Sequence, residues 1–216
     1  MIQTQGLCKS YGAHQVLCDI TLSLQRGKIH GFIGRNGSGK TVLFKILCGL
    51  TRPTKGIVQI DGHELGREME IPPSLGAIIN VPGFMPHMSG WRNLVLLASI
   101  RKSCTSADIR HAMQRVGLDP DLRTPAGKYS MGMRQRLGIA QAIMEDPQLL
   151  VLDEPMNGLD NRGVEEIREL LRALREQGKT ILLASHNAGD IRQLCDTVHE
   201  LDNGRLLGTR EAENPQ

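Results

Sequence analysis

The pattern of hydrophobic and polar positions predicts a chain that alternates between strands and helices. Residues 19–25 alternate polar and apolar side chains, which is typical of a strand with one buried face. The segment 162–177 places its apolar residues three and four positions apart and is followed by Gly178, so we expect an amphipathic helix that stops at this glycine. Short apolar runs, typical of buried strands, occupy residues 28–33, 148–152 and 180–184.

The middle of the chain is predicted to be helical. Residues 72–89 contain four prolines and no clear period, and the helical pattern begins after them. Thr105 and Asp108 have the spacing of a capping box, and Gly117 is a stop signal. Helices are expected at 91–100, 105–117 and 130–144, and a hairpin at 198–208 with its turn at 202–204. Helices placed between strands predict a parallel α/β core with an inserted helical subdomain at about residues 85–145.

Composition and charge place the chain among soluble globular proteins. It has 216 residues, of which 40% are hydrophobic and 23% charged, and this length predicts a single domain over residues 1–216. The net charge of +3 is too small to indicate a nucleic-acid partner. No apolar run reaches the about 18 residues that span a bilayer, and residues 1–10 show no secretory signal. The five cysteines lack paired or metal-binding spacing, so we expect small core residues of a cytoplasmic protein.

A glycine-rich loop carries the clearest chemical signal. Residues 34–41 read Gly-Arg-Asn-Gly-Ser-Gly-Lys-Thr, which fits the phosphate-binding pattern G-x-x-x-x-G-K-[ST] between a strand and a helix. Glycines let backbone N–H groups close around phosphate oxygens, and the helix N-terminus adds positive potential. Lys40 is expected to reach the β- and γ-phosphates, and Thr41 to ligate magnesium. The expected nucleotide-binding residues of this segment are Gly34, Asn36, Gly37, Ser38, Gly39, Lys40, Thr41 and Val42.

Two carboxylates end the apolar strand at residues 149–152. A buried strand normally avoids charge, so Asp153 and Glu154 at its carboxyl end point to a function. Ligands of open α/β sheets bind at this end of the strands, which would bring both side chains beside the glycine-rich loop. We therefore expect Asp153 to bind magnesium and Glu154 to be the base that polarises an attacking water. Together with the loop, these residues predict a nucleotide hydrolase or a kinase.

A third segment lies between the loop and the carboxylates. Residues 129–136 read Tyr-Ser-Met-Gly-Met-Arg-Gln-Arg, in which Ser130 is a good N-cap and Gly132 permits close backbone approach at a helix N-terminus. The segment resembles the signature, usually written L-S-G-G-Q, of ATP-binding-cassette (ABC) ATPases. Over nearly the whole chain, the ordered motifs look like those of ABC transporter ATP-binding subunits, most of all the bacitracin and lantibiotic export-immunity type. The resemblance implies a P-loop NTPase core with an N-terminal antiparallel β subdomain and the inserted helical subdomain.

The resemblance assigns roles to further residues. His186, directly after an apolar strand, is similar to the family's switch histidine, and residues 157–160 resemble its D-loop. Tyr11 resembles the aromatic residue that stacks on adenine. Asn80, expected near the end of a strand at 76–81, stands where the family has a glutamine or a glutamate and is one methylene shorter. The expected catalytic residues are thus Lys40, Glu154 and His186, and the expected magnesium ligands are Thr41, Asn80 and Asp153.

A composite site shared by two cassettes is also implied by the resemblance. In the family, the residues at Ser130 and Gly132 of one cassette contact the γ-phosphate that is held by the lysine at position 40 of another. Because this chain carries one cassette, we expect a homodimer, or a pair with another ABC subunit, that closes around ATP and Mg²⁺.

A loop at residues 81–91 is the expected contact with a membrane partner. It is rich in proline and glycine, carries Phe84, Met85 and Met88, and contains no acidic residue and no lysine. Apolar clusters on surface loops mark interaction sites. The resemblance implies that a transmembrane permease subunit docks here, with the chain as a peripheral subunit at the cytoplasmic face of the cell membrane.

Several functions compete for this sequence. ATP-driven transport through a separate permease, with export of an antimicrobial peptide or similar compound, is the leading hypothesis. The alternative is a soluble ABC ATPase without a permease, such as an assembly or translation factor. A DNA-bridging cassette is excluded, because only about ninety residues without sustained heptads separate Lys40 from Ser130. Glu154 argues against a non-hydrolysing ATP clamp, whereas Asn80 leaves that function open.

Overall fold

Two β-sheets enclose the first helix of the chain. The computed structural model describes residues 1–80, 83–102 and 104–212. Within these ranges the strands are β1 (Ile2–Tyr11), β2 (His14–Leu24), β3 (Ile29–Ile33), β4 (Lys55–Ile60), β5 (His63–Glu64), β6 (Leu75–Ile78), β7 (Leu149–Asp153), β8 (Thr180–Ala184), β9 (Thr197–Asp202) and β10 (Arg205–Glu211). The helices are α1 (Lys40–Leu47), α2 (Gly90–Arg101), α3 (Ser106–Arg115), α4 (Met131–Ile143), α5 (Asn161–Glu176) and α6 (Ala188–Leu194), with a short 3-10 helix at Ala126–Lys128.

The first sheet is antiparallel and has the strand order β2-β1-β4-β5. Along β2 the predicted alternation is confirmed, because Ile20, Leu22 and Leu24 are buried and the residues between them are exposed. The strand begins earlier than the sequence pattern predicts, at His14, which pairs with Tyr11 to close a hairpin with β1.

The second sheet is mainly parallel and has the order β10-β9-β3-β8-β7-β6. β7 and β8 are buried at every position, which explains why both are continuous apolar runs in the sequence. The three buried strands predicted from such runs are confirmed to within one residue at each end. The predicted C-terminal hairpin is confirmed as β9 and β10, with Asn203 and Gly204 at positive φ in its turn.

Three helices, α2 to α4, lie between β6 and β7 in the chain. The capping box predicted at the start of α3 is present, because the Thr105 hydroxyl accepts the Asp108 N–H while the Asp108 carboxylate accepts the Thr105 N–H. α6 was not predicted, since it has only seven residues and no long apolar face.

Two hydrophobic clusters lie on opposite faces of the parallel sheet. One surrounds α1 between the two sheets and includes Phe32 and Phe44, whose rings meet edge to face at 5.1 Å. The other lies under α2 to α5 and includes Leu94, Leu137 and Leu171. Helix α1 is therefore fixed on both sides, which makes its N-terminus a rigid platform for the glycine-rich loop.

The prediction that the cysteines are core residues is wrong for three of the five. Cys48 and Cys195 are buried, and burial raises the pKa of each thiol to about 12, so both stay protonated in the core. Cys8, Cys18 and Cys104 are half-buried. Cys8 and Cys18 lie in β1 and β2, and Cys104 lies just before α3 and packs in part against the core, positions that apolar periodicity alone does not distinguish from fully buried ones.

The loop before α2 is less exposed than the sequence predicts. Phe84 and Trp91 pack in part against the cluster under the helices, Met88 is half-buried, and Met85 is 49% exposed. The Asn93 side chain fixes the loop, since its Oδ1 accepts the Met85 N–H at 2.7 Å. The apolar residues of this loop therefore fold partly over the local core and present Met85 at the surface.

Candidate functional site

A cavity of about 460 Å³ opens at the carboxyl ends of β3 and β7. It lies between the glycine-rich loop, the end of β7 and the first turns of α4. Its lining residues are Val16, Asn36, Gly37, Ser38, Gly39, Lys40, Thr41, Val42, Asn80, Met131, Gln135, Asp153, Glu154 and Asn157. The structure therefore brings together the expected residues of the loop except Gly34, the two carboxylates at the end of β7, and Asn80.

The loop between β3 and α1 follows a path that requires glycine. Gly34 has a φ of 152°, and a Cβ at this position would overlap the carbonyl oxygen of Leu201. Gly39, the N-cap of α1, also has positive φ and provides no side-chain acceptor for the first turn. The N–H groups at the start of α1 are therefore free to bind an anion at the positive end of the helix dipole.

Lys40 and Thr41 begin α1 beside this loop. The buried Lys40 Nζ donates to the carbonyl oxygens of Gly34 at 2.7 Å and Arg35 at 3.2 Å, which holds the ammonium group inside the loop. The Thr41 hydroxyl donates to Asp153 Oδ2 at 2.6 Å, so a residue of α1 and the last residue of β7 meet directly. The pair places a hydroxyl oxygen and a carboxylate oxygen next to a phosphate-type loop.

These oxygens suit a magnesium ion that is bound together with phosphates. Mg²⁺ prefers hard oxygen ligands and usually takes one or two from side chains, the rest from substrate phosphates and water. Among the described residues, no group of three or more His, Cys, Asp or Glu side chains is placed to hold a metal. The donor set therefore fits Mg²⁺ carried by a nucleotide and does not form a metal site of its own.

Glu154 lies directly after β7 in a left-handed backbone conformation, with a φ of 53°. Its N–H donates to the carbonyl of Ala184 at 2.9 Å, and its own carbonyl accepts from Gln135 Nε2 at 3.2 Å. Its side-chain Oε2 lies 2.8 Å from Nδ1 of His186. The predicted base and the predicted histidine are thus hydrogen-bonded to each other, although 32 positions separate them.

Asn80 lies in the turn after β6. This strand ends at Ile78, so the predicted strand at 76–81 is too long, and its last residue, Val81, lies outside the described residues. Asn80 has a φ of 63°, a conformation that asparagine tolerates better than most residues with a side chain. Its place in the cavity wall is therefore compatible with a polar contact to a bound ligand.

Tyr11 is 52% exposed at the end of β1. Lys9 Nζ lies 4.8 Å from the centre of its ring. The residue that lines the cavity from this side is Val16 of β2. Adenine stacking by Tyr11 accordingly stays a prediction.

Ser130 and Gly132 are not among the residues that line this cavity. From the same segment, Met131 and Gln135 line it. The Ser130 hydroxyl caps α4 by accepting the Met133 N–H at 3.1 Å. A Cβ on Gly132 would lie 2.9 Å from the carbonyl oxygen of Gly158, so glycine permits α4 to approach residues 157–160 closely. The chain therefore does not bring Ser130 into the lining of the cavity beside its own glycine-rich loop.

One polar network beside the site was not predicted from the sequence. Arg168 of α5 pairs with the buried Asp190 of α6 at 2.6 Å, and Asp190 also accepts the Ser185 hydroxyl at 2.9 Å. Ser185 in turn accepts the Asn187 N–H at 3.1 Å. The network fixes the segment that carries His186. Local spacing gives no signal for it, because its members come from two helices and a strand end.

The comparisons with known proteins agree with this geometry. Residues 17–157 match the family model described as ABC transporter. The chain belongs to the ABC transporter family. Its cassette is 41% identical over 209 residues to the bacitracin transport ATP-binding protein BcrA of Enterococcus faecalis, which covers 96% of this chain and 68% of that protein. It is 32% identical to the lantibiotic transport ATP-binding protein SrtF of Streptococcus pyogenes, which covers 100% of this chain and 93% of that protein.

The fold of the cassette is shared with solved ABC structures. A dimeric ATP-binding cassette in a post-hydrolysis state, bound to ADP and Pi, superimposes with a TM-score of 0.89 at 21% identity over 100% of both chains. The fold class and the family expected from the sequence are therefore confirmed, and the chain is an ATP-binding ATPase subunit of a transport system. Among the described residues there is no helix long and apolar enough to cross a membrane.

Proposed function

We propose that the cassette hydrolyses ATP in the cavity between the glycine-rich loop and the end of β7. The observation that carries this proposal is the 2.6 Å contact between Thr41 and Asp153, next to the 2.8 Å contact between Glu154 and His186. The first pair has the oxygens that Mg²⁺ prefers, and the second is a carboxylate held by an imidazole. Magnesium-bound ATP supplies the phosphoryl group and the charge neutralisation when it is bound.

Each residue has a separate task in this proposal. The loop N–H groups and Lys40 bind the phosphates, while Thr41, Asp153 and Asn80 hold the ion. Glu154 accepts a hydrogen bond from the attacking water, which orients a water lone pair toward the γ-phosphorus. His186 holds the Glu154 carboxylate in place. The remaining proposed nucleotide contacts are Tyr11, Gly34, Asn36, Gly37, Ser38, Gly39 and Val42, with Ser130 and Gly132 acting on the nucleotide of a second cassette.

A pair of lysine variants on one helix tests the catalytic proposal. Lys40→Ala removes a cation from the phosphate loop and is expected to lower kcat for ATP by at least about 100-fold, the usual effect of losing one charge-stabilising donor. Lys45→Ala, in the last turn of the same helix, is the matched control and keeps kcat within about twofold. Equal hydrolysis by the two variants would contradict the assignment of the site.

A second cassette completes the site in this proposal. Ser130 and Gly132 do not line the cavity of their own chain. Ser130 is the N-cap of α4 and Gly132 lies in its first turn, so both belong to a helix end that suits an anion. A partner cassette that faces the cavity brings this helix end to the γ-phosphate. The solved ATP-binding cassette of similar fold, in its post-hydrolysis state, is a dimer. We propose that the chain forms a homodimer or pairs with another ABC subunit. Each chain contributes one domain (residues 1–216), whose helical subdomain spans about residues 85–145.

A transmembrane permease subunit is the proposed membrane partner. A cavity of about 400 Å³, the docking groove, lies between the loop before α2 and the start of α4. Its lining residues are Gly83, Phe84, Pro86, Ala126, Gly127, Met131, Arg134 and Gln135. Together with the exposed Met85 and the half-buried Met88, it offers an adaptable apolar surface to a short segment of the permease. Docking here holds the subunit at the cytoplasmic face of the membrane.

Bacitracin and lantibiotic transport by the named relatives supports export of an antimicrobial peptide or a similar compound as the function of the complete system. Fractionation of the native cells tests the membrane link. Phe84→Asp combined with Met85→Asp is expected to move the protein from the membrane fraction to the soluble fraction while ATP hydrolysis continues. Ile71→Asp, a change of an exposed apolar residue outside the groove, is the control and stays with the membrane. If the wild-type protein is found in the soluble fraction only, the alternative of an ABC ATPase without a permease replaces this proposal.

A further inference from the structure

The nucleotide cavity and the docking groove meet at the first turns of α4. Met131 and Gln135 line both of them. A ligand or peptide segment in the groove therefore contacts side chains that also border the nucleotide cavity. Of the two, Gln135 has a polar side chain with a defined partner in the catalytic segment.

Gln135 makes one hydrogen bond across the boundary between the two cavities. Its Nε2 donates to the backbone carbonyl oxygen of Glu154 at 3.2 Å, and the same oxygen also accepts the Asn157 N–H at 3.2 Å. The bond connects the helix that follows Ser130 to the residue that follows β7. Its acceptor is a backbone atom of the proposed general base, so the bond acts on the orientation of the whole residue.

The backbone of Glu154 needs such a restraint. Its φ of 53° lies in the left-handed region, which is strained for a residue with a side chain. The N–H side is held by the carbonyl of Ala184 at the end of β8. The carbonyl side is held in part by Gln135, and a change there rotates the peptide that sets the direction of the Glu154 carboxylate.

The next residue of α4 limits what can move. Arg136 donates to the carbonyl of Val116 and pairs with Glu166 of α5 at 2.8 Å, which anchors this turn of α4 to its neighbours. An occupant of the groove therefore changes the Gln135 side chain more readily than the helix. The response is local, and it reaches Glu154 through its backbone carbonyl.

We propose that Gln135 is a positioning residue that transmits occupancy of the docking groove to the general base Glu154. The inference rests on the proposed function, since it requires hydrolysis in the first cavity and docking in the second. A groove occupant that changes the bond between Gln135 and Glu154 changes turnover without changing the binding of ATP. Asn80, which also borders the nucleotide cavity and precedes the groove loop in the chain, is the competing route.

Replacement of Gln135 tests the first half of the inference. Gln135→Met keeps the length of the side chain and removes the donor, and loss of one hydrogen bond predicts a kcat lowered about fivefold. KM for ATP stays within twofold of the wild-type value, a split that general destabilisation of the chain does not produce. Gln141→Met, on the same helix and outside both cavities, is the control and leaves kcat unchanged. An unchanged kcat in Gln135→Met overturns the inference.

A label in the groove tests the second half. Pro86→Cys, in a chain whose half-buried Cys8, Cys18 and Cys104 are replaced by serine, is modified with a bulky maleimide, and the unlabelled protein is its reference. The label is expected to change kcat about threefold or more when Gln135 is present and to have little effect in Gln135→Met, since coupled residues are not additive. An equal effect in both backgrounds assigns the transmission to another route, such as Asn80, and overturns the inference. In either case hydrolysis by the unlabelled wild-type chain shows whether the proposed ATPase itself stands.

Discussion

Two buried histidines make the stability of the cassette depend on pH. His30 Nε2 donates to the carbonyl of Gln25 at 2.8 Å, and its Nδ1 accepts the Thr197 hydroxyl at 2.6 Å. Thr197 then accepts from His199 Nε2 at 3.3 Å, and His199 Nδ1 accepts the Thr209 hydroxyl at 2.9 Å. Because the Gln25 carbonyl can only accept, His30 Nε2 must donate to it, and with both imidazoles neutral the remaining bonds of the chain run in one direction.

The magnitude follows from the pKa of His199. Burial lowers the pKa of His199 from 6.5 to about 4, and burial lowers the pKa of His30 in the same sense. In the unfolded chain each imidazole takes up a proton as the pH falls below about 6.5, whereas the folded chain resists protonation until about pH 4. The free energy of unfolding is therefore unaffected above pH 6.5 and decreases between pH 6.5 and pH 4. For His199 alone the full loss is about 3 kcal/mol, at about 1.4 kcal/mol per pH unit.

Urea unfolding followed by circular dichroism at pH 7.5 and pH 5.0 measures this effect. His199→Gln keeps a polar side chain that does not titrate. The contributions of other ionisable groups to the free energy of unfolding therefore cancel when the variant is compared with the wild type. The wild-type chain is expected to lose about 2 kcal/mol more than His199→Gln between these two pH values. A difference below about 0.5 kcal/mol between the two losses would mean that His199 has nearly the same pKa in the folded and unfolded chains, contrary to this prediction.

Three further predictions concern residues around the site. Asn80→Ala is expected to raise the Mg²⁺ concentration for half-maximal hydrolysis about tenfold, and an unchanged Mg²⁺ titration would remove Asn80 from the ion's surroundings. Arg168→Met leaves the carboxylate of Asp190 buried without its cation, so the free energy of unfolding in urea should fall by about 3–5 kcal/mol, and a loss under 1 kcal/mol would show that the pair is not buried in solution. Tyr11→Ala should raise KM for ATP about fivefold while Tyr11→Phe keeps it, consistent with ring stacking, and equal values for both variants would argue against it.

The elements with a strong period or a fixed spacing could be predicted from the sequence. The strands β7 and β8 are buried along their whole length and consist of apolar residues except for Asp153 and Thr180, and the capping box at Thr105 is a local motif, so both depend on residues close together in the chain. The boundary of β6 was missed because its end is set by pairing with β7 and by the left-handed turn at Asn80. Helix α6 was missed because it is held by tertiary contacts from Arg168.

Some residues of the candidate site could likewise be identified from the sequence, and others could not. Its phosphate loop is one contiguous segment, and Asp153 and Glu154 stand out as charges after an apolar strand, so these residues could be identified without coordinates. Gln135 could not, because its role depends on a hydrogen bond to a backbone atom 19 positions away. The packing of Phe84 against the helices also depends on neighbours distant in sequence, which is why the loop was expected to be more exposed than it is.

In the proposed cycle, two cassettes close around magnesium-bound ATP, and hydrolysis with Glu154 as the base limits how long they stay closed. The most direct measurement is light scattering of the purified Glu154→Gln variant, a chain of 23.8 kDa, with ATP and Mg²⁺ present. We expect a stable species of twice the monomer mass with hydrolysis at least about 100-fold slower than wild type, and its return to the monomer when Ser130→Arg is added. A Glu154→Gln variant that remains monomeric with ATP, or that hydrolyses ATP at the wild-type rate, would contradict it.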